Sequence, residues 1–234
     1  MDKEQFLKED AYKKVIYIYI IIFMVISVFL QMIISIPLKT TLPFAPLYQY
    51  LVLQFSTIHN LIIYLCLTTL IVYTLYNILK EDFKNIKSYK KTILIGLGTF
   101  FAILIGNIIS SIINALLGIE GVSVGQNSIE IMVANYTIPT LIAVGICGPI
   151  VEELVFRKSI FGIIKNQNHA LIVSAFIFGF MHVLGAGDFI NVIPYIISGL
   201  ILGMVYIASN KNIYALILGH MAVNIIAVLS IISI

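Results

Sequence analysis

Seven apolar runs, each long enough to cross a bilayer as a helix of about 20 residues, are separated by short polar stretches. The first, Val15–Ile36, follows a polar segment carrying Lys3, Lys8, Lys13 and Lys14. It exceeds a signal-peptide core and no small-residue cleavage site follows it, so it reads as a retained span. Pro37, Pro43 and Pro46 mark the next loop. A second span falls within Tyr50–Leu79, polar Lys80–Lys91 follows, and a third covers about Thr92–Leu117. Gly118–Asn135 reads as the longest loop. A fourth span starts near Tyr136, a fifth covers His169–Leu184, a sixth Phe189–Ala208, and a seventh Ile213–Ile234. The expectation is an all-α polytopic membrane protein: one transmembrane domain over 1–234, a bundle of about seven helices, without repeats.

Composition sharpens this picture. Hydrophobic residues make up 60% of the chain and charged ones 11%, whereas soluble domains carry about 25% charged side chains. A water-soluble globule and a disordered chain are both excluded, and the alternating pattern of barrel strands is missing. A net charge of +3 supplies no basic patch of the size that nucleic acid needs. Placing the N-terminus in the cytoplasm puts 13 of the 14 Lys and Arg residues on the inside and leaves Lys39 outside, as the positive-inside rule favours. Cys66 and Cys147 lie in apolar runs without metal-like spacing and read as buried small hydrophobes. The Lys-, Ile- and Asn-rich composition suggests an AT-rich, bacterial genome and so a bacterial cytoplasmic membrane. Ala175 and Gly179, and then Gly199 and Gly203, are four apart, which lets helix backbones approach closely.

The informative residues are the polar ones inside apolar runs, because an ionisable group in mid-membrane usually faces a cavity or a partner. The fourth span carries Glu152 and Glu153, the fifth His182, and the seventh His220 and Asn224. Glu153 and Arg157 are four apart on one helical face and can pair. Glu152 points elsewhere and needs another partner: a histidine, a water or a metal. His220 and Asn224 present two polar heads one turn apart. Other polar residues read as structural: His59 and Asn60 bonded to nearby backbone, Asn107 and Asn114 as interhelical glue, and His169 as solvated beside a turn.

Helix geometry makes the group coherent. If the fourth helix continues through Ile163 and turns at Lys165–Asn168, the midpoint between positions 152 and 182 falls inside that turn. Glu152 and His182 then face each other ~22 Å from the hairpin tip, with His220 ~14 Å from the turn near Lys211. The levels agree if the hairpin protrudes by ~8 Å. Three helices would thus bring an acid, two imidazoles and a carboxamide to one pocket, expected to open toward the cytoplasmic side.

A carboxylate beside histidines in a semi-dry pocket has the makings of a hydrolase. The carboxylate is a candidate general base, a histidine can hold water or a metal, and His220 and Asn224 can bond an oxyanion. The G-x-S-x-G and H-E-x-x-H motifs are absent, against the usual serine hydrolases and soluble zincins. A transporter or proton relay also fits the polar cluster, although the chain shows no inverted repeat and no obviously broken helix at the glutamates.

The ordered set Glu152-Glu153-x-x-x-Arg157, Phe178-x-x-x-His182 and His220-x-x-x-Asn224 resembles the CPBP group of intramembrane proteases. These are also called Abi, or type II CAAX prenyl endopeptidases. The match covers about Pro149–Asn224, a third of the chain, and is supported by Pro149, Gly199, Gly203 and Tyr206. The family usually has glycine after the arginine, where this chain has Lys158. The resemblance implies a catalytic core at 136–234, preceded by the three spans 15–36, about 50–79 and 92–117. It implies that Glu152 activates water with His182, that His220 and Asn224 stabilise the oxyanion or position the water, and that Glu153 and Arg157 support the first glutamate. Zinc has been proposed for the family. Glu152, His182 and His220 are ligand types that zinc accepts, and the sequence leaves zinc and a metal-free water both open. The implied substrate is a membrane-associated peptide or protein, such as a peptide pheromone, a bacteriocin leader or a CAAX-like segment. A non-catalytic bacteriocin-immunity or scaffold protein is the alternative. The sequence sets no oligomeric state.

Overall fold

The computed structural model describes residues 3–27, 29, 45–119, 121, 123–184 and 187–232, and all regular structure among them is helical. The helices are α1 (Lys3–Tyr19, continuing in widened turns through Ile20–Ser27), α2 (Ala45–Thr74), α3 (Tyr76–Lys84), α4 (Tyr89–Leu116) and α5 (Val124–Asn135). They continue with α6 (Thr137–Ile163), α7 (Gln167–Leu184), α8 (Val192–Ala208) and α9 (Ile213–Ile232). Six of these segments are long and apolar enough to cross a membrane: α2, α4, α6, α7, α8 with the short turn before it, and α9. The polar stretch ahead of the predicted first span is itself helical, from Lys3, and that span is not among the six found in the described residues. Its end at Ile36, the loop prolines Pro37 and Pro43, and Lys39 lie outside the described residues.

Large apolar side chains cover the outside of the bundle. On α4 alone Ile93, Leu94, Leu97, Phe101, Ile105, Ile108 and Ile112 are exposed. Water would not tolerate such a surface, whereas hydrocarbon does, because each helix satisfies its own backbone polar groups. Cys66 belongs to this exposed surface rather than to the interior, contrary to expectation, while Cys147 is buried. α6 is the central rod: 56% of its most apolar stretch is buried, against 28–33% in the other five.

The small residues work as their spacing predicts. A Cβ on Gly199 would lie 2.9 Å from Ala175 Cα, and one on Gly179 would lie 3.1 Å from the Ile196 backbone nitrogen, so α7 and α8 pack with their backbones nearly touching. A second close crossing was not foreseen. On α4 and α9, a Cβ at Gly219 would meet the carbonyl of Gly96 at 2.5 Å.

Two expectations change. Gly118–Asn135 is not simply a loop, because Val124–Asn135 forms α5, with Ser123 as its N-cap accepting from the Gln126 amide at 3.2 Å. Ser123 and Gln126 match the S-x-x-Q spacing of a capping box, which is the local signal for that helix. Aspartate 188 also ties the start of α5 down, accepting from the Val124 amide at 2.9 Å. The second change is in α6, which is continuous but not regular. Leu141–Cys147 and Glu153–Ser159 are π-helical, on either side of a short α-helical stretch that contains Pro149. Pro149 has no N–H to offer the carbonyl four residues back, and the Ser159 hydroxyl donates to the Leu154 carbonyl, five residues back, at 2.8 Å. Widened turns of this kind are frequent at functional sites, and Glu152 and Glu153 stand at the second one.

Candidate active site

α6 and α7 form the expected antiparallel hairpin, with the turn between Ile163 and Gln167. Glu152 and His182 meet across it, and α9 brings in His220. His182 Nε2 lies 3.8 Å from one Glu152 oxygen and His220 Nε2 lies 3.7 Å from the other. Both separations exceed a direct hydrogen bond and suit a bridging water. The imidazoles are fixed from behind. His182 Nδ1 donates to the Phe178 carbonyl at 2.8 Å, and His220 Nδ1 donates to Glu153 Oε1 at 2.8 Å. Phe178 packs against both rings, at 4.3 Å from His182 and 6.4 Å from His220.

The support for this group differs from expectation in one link. Glu153 pairs with Arg157 Nη1 at 3.4 Å, as the spacing predicted, and both side chains are fully buried. Glu153, however, reaches His220 rather than Glu152, so the buried pair braces the histidine of α9. Arg157 also donates to the Gly199 carbonyl at 3.2 Å and lies 4.5 Å from the centre of the Phe178 ring. One guanidinium therefore joins α6, α7 and α8. The close approach of α8 that Gly199 permits is what puts that carbonyl within reach. Lys158, the departure from the usual glycine, is buried and bonds to Asp82 on α3.

Asn224 lines the same cavity and donates to the Val144 carbonyl at 3.0 Å. That bond uses one amide hydrogen and leaves the other for a ligand. The cavity has a volume of about 740 Å³ and is lined by Glu152, His182, His220 and Asn224 together. Sequence reasoning missed Tyr195, whose ring stacks on His182 at 4.6 Å, and Tyr64, which lines the cavity beside Glu152. It also missed α5, which contributes Gln126 and Met132 to the wall. Asn107 and Asn114 line the cavity too, where interhelical glue was expected. Asn60 lines it and contacts Met132 Sδ at 3.7 Å, while neither ring nitrogen of His59 has a hydrogen-bond partner among the described residues. Neither residue bonds to neighbouring backbone as expected. His169 is exposed at the start of α7, as expected.

The zinc that the resemblance left open can be tested against the donors. Both imidazoles present Nε2 with Nδ1 engaged behind, which is the usual posture of a metal-binding histidine. Donors sharing a tetrahedral zinc at about 2.0–2.2 Å lie roughly 3.3–3.6 Å apart, a little closer than the 3.7 and 3.8 Å seen here. Among the described residues no group of three or more His, Cys, Asp or Glu side chains is placed to hold a metal ion.

Comparison with known proteins bears on the same region. A family model described as "Type II CAAX prenyl endopeptidase Rce1-like" matches residues 134–226, which contain Glu152, Glu153, Arg157, His182, His220 and Asn224. A Mycoplasma capricolum protein carried as "Uncharacterized protein" is 29% identical over 192 residues, 76% of this chain and 57% of the relative. A Bacillus subtilis protein named "Putative membrane peptidase YdiL" is 32% identical over 136 residues, 56% of this chain and 53% of the relative. The "UPF0177 protein YxdF" of Lactococcus lactis is 30% identical over 152 residues, 64% of this chain and 80% of the relative. The chain thus spans just over half the length of the first two relatives. No solved structure matches. The acid, the imidazoles and the carboxamide gathered in one membrane cavity thus all belong to a domain, residues 134–226, that matches the Rce1-like family of type II CAAX prenyl endopeptidases.

Proposed function

We propose that the protein is an intramembrane endopeptidase that hydrolyses a peptide bond in a small membrane-associated peptide or protein. A peptide pheromone, a bacteriocin leader and a CAAX-like segment are the candidate substrates. The observation that carries this reading is the placing of one carboxylate between two imidazoles that are each locked from behind.

In this reading a water occupies the space between Glu152 and the histidines. Glu152 accepts one of its protons as general base. The Nε2 lone pair of His182 accepts the other hydrogen, which turns the water oxygen toward the scissile carbonyl. Attack forms a tetrahedral intermediate whose oxyanion takes hydrogen bonds from the free Asn224 amide hydrogen and from Nε2 of His220. Glu153 holds the other ring nitrogen of His220, and Arg157 holds Glu153 in place. Glu152 then returns its proton to the departing amine, and the peptide separates into a carboxylate and an amine. No step passes through a metal.

The test is peptide cleavage by the purified full chain in proteoliposomes. Glu152→Gln is expected to lower the rate by about 10²–10⁴-fold, the usual contribution of a general base, while leaving insertion and melting temperature unchanged. Cleavage at the wild-type rate by a well-folded Glu152→Gln variant would overturn the proposal. Protection of cells against a bacteriocin that survives this substitution would favour the non-catalytic alternative.

A further inference from the structure

Of the three groups that meet at the site, His182 is the least enclosed. Its side chain is 27% exposed, against 11% for Glu152 and 9% for His220. One hydrogen bond, from Nδ1 to the Phe178 carbonyl, anchors the ring from behind. The last torsion of a histidine has broad wells, so a ring held at one nitrogen can still swing. A second restraint is needed to keep Nε2 on Glu152.

Tyr195 supplies that restraint. Phe178 meets the imidazole at 4.3 Å but is tilted from it by 45°, whereas Tyr195 lies at 4.6 Å and only 20° from parallel. A near-parallel ring at stacking distance blocks rotation of the imidazole plane, because a large turn would drive a ring edge into it. Tyr195 stands in the first turn of α8, directly after Pro194.

The tyrosine is itself tethered. Its hydroxyl is hydrogen-bonded to Ser123 Oγ at 3.1 Å, and Ser123 is the N-cap of α5. Asp188 closes the group: it accepts from the Val124 amide, and also from the side chain of Asn191, the residue before α8, at 2.9 Å. A Cβ on Gly125 would stand 3.8 Å from the Tyr195 hydroxyl and 4.0 Å from the His182 carbonyl. The start of α5 thus rests against both the tyrosine and the backbone of His182. Ser123 and nearly all of α5 lie ahead of the residues 134–226 that match the family.

From the stack and its tether we propose that Tyr195 is a positioning residue for His182. Its ring sets the imidazole plane that points Nε2 at Glu152, and Ser123 makes that plane depend on α5. The hydroxyl is engaged by Ser123, so the role calls on the ring and not on its acidity. The inference rests on the peptidase reading for the step that His182 serves, but not for the placing of the ring.

The test uses the full chain in nanodiscs, with its four histidines isotopically labelled for NMR. The His182 signal is identified by its loss in His182→Gln. A stacked phenol shields the imidazole protons, so Tyr195→Leu should move that signal downfield, and Tyr195→Phe, which keeps the stack, should move it little. In cleavage assays Tyr195→Leu should lower kcat by about 10–10²-fold, the scale of a misplaced reacting group, with KM within about twofold. Tyr195→Phe and Ser123→Ala each cut the tether and should lower kcat a few-fold. Tyr195→Phe should have no further effect in the Ser123→Ala background, as expected of two residues that act through one contact. Ser123→Thr keeps both hydroxyl and cap and should match the wild type.

An unmoved His182 signal in Tyr195→Leu, or wild-type kcat in that variant, would overturn the proposal. A raised KM at unchanged kcat would also overturn it, by making Tyr195 a substrate contact. An equal loss from Tyr195→Phe with and without Ser123 would overturn the tether to α5. If the wild type cleaves no peptide, the peptidase reading falls, and the His182 signal alone decides the placing of the ring.

Discussion

Arg157 is the largest fully buried side chain among the described residues, and it occupies a place where hydrocarbon surrounds the bundle. Its charge is tolerable because Glu153 opposes it and because the Gly199 carbonyl and the Phe178 ring take up the remaining field. Removing one partner of such a pair leaves an uncompensated charge, which typically costs about 3–5 kcal/mol. Arg157→Met should therefore destabilise the protein by about that amount in a detergent melt. Arg157→Met combined with Glu153→Leu should recover much of it, since a well-packed apolar replacement of a buried pair is often neutral. Equal loss in the single and double variants would show that the pair's role is packing rather than charge. At this level much was legible. The four-residue spacing announced the Glu153–Arg157 pair, and counting along the hairpin put Glu152 opposite His182. Bracing of His220 by Glu153, and the reach of Lys158 to Asp82, were not legible. Both depend on how distant segments dock, and no local spacing encodes that. The proposal of a water held directly by side chains gives a second prediction: 1,10-phenanthroline should leave peptide cleavage within about twofold of the untreated rate, that is within ~0.4 kcal/mol of barrier. A loss reversed by added zinc would contradict it.

The helices themselves were read well where apolar length decides, and poorly where capping or a missing N–H decides. α7, α8 and α9 fall within a few residues of their predicted limits. α5 was hidden because after Val124 its first turn is Gly, Gln, Asn and Ser, and the apolar residues that follow are too few to read as a span, although Ser123 and Gln126 spelled out its start. The π-helical turns of α6 were hidden because Pro149 alone does not say whether a helix will kink, break or widen. What locks α7 to α8 is the absence of side chains at their crossing. Gly199→Val should cost about 1–3 kcal/mol, the usual penalty for overpacking. It should also lower activity, since the same backbone carbonyl holds Arg157. Gly98→Val, exposed on α4 with nothing within 4 Å of its added Cβ, should leave both stability and activity unchanged. A mild effect at Gly199, no larger than that at Gly98, would mean that the two helices can separate without disturbing the site.

Taken together, the bundle is a cup with its base at the lysine-bearing end. α1, α3 and the α6–α7 turn close the base, α6 carries the acid through the middle, and α4, α5, α8 and α9 raise the wall around it. The charge pattern along the sequence did not say which end is hollow. That property belongs to packing, and it emerges only when four helices are seen to line the cavity with the same halves. The cup places one carboxylate in a cavity with two imidazoles and a carboxamide, which is the observation on which the rest depends. Its most direct test is mass spectrometry of a peptide mixture incubated in H₂¹⁸O with the purified full chain in proteoliposomes. The account predicts internal cleavage with one ¹⁸O in each new C-terminal carboxylate, and no such products with Glu152→Gln. Intact peptides under wild-type protein, or the same labelled products from the variant, would contradict it.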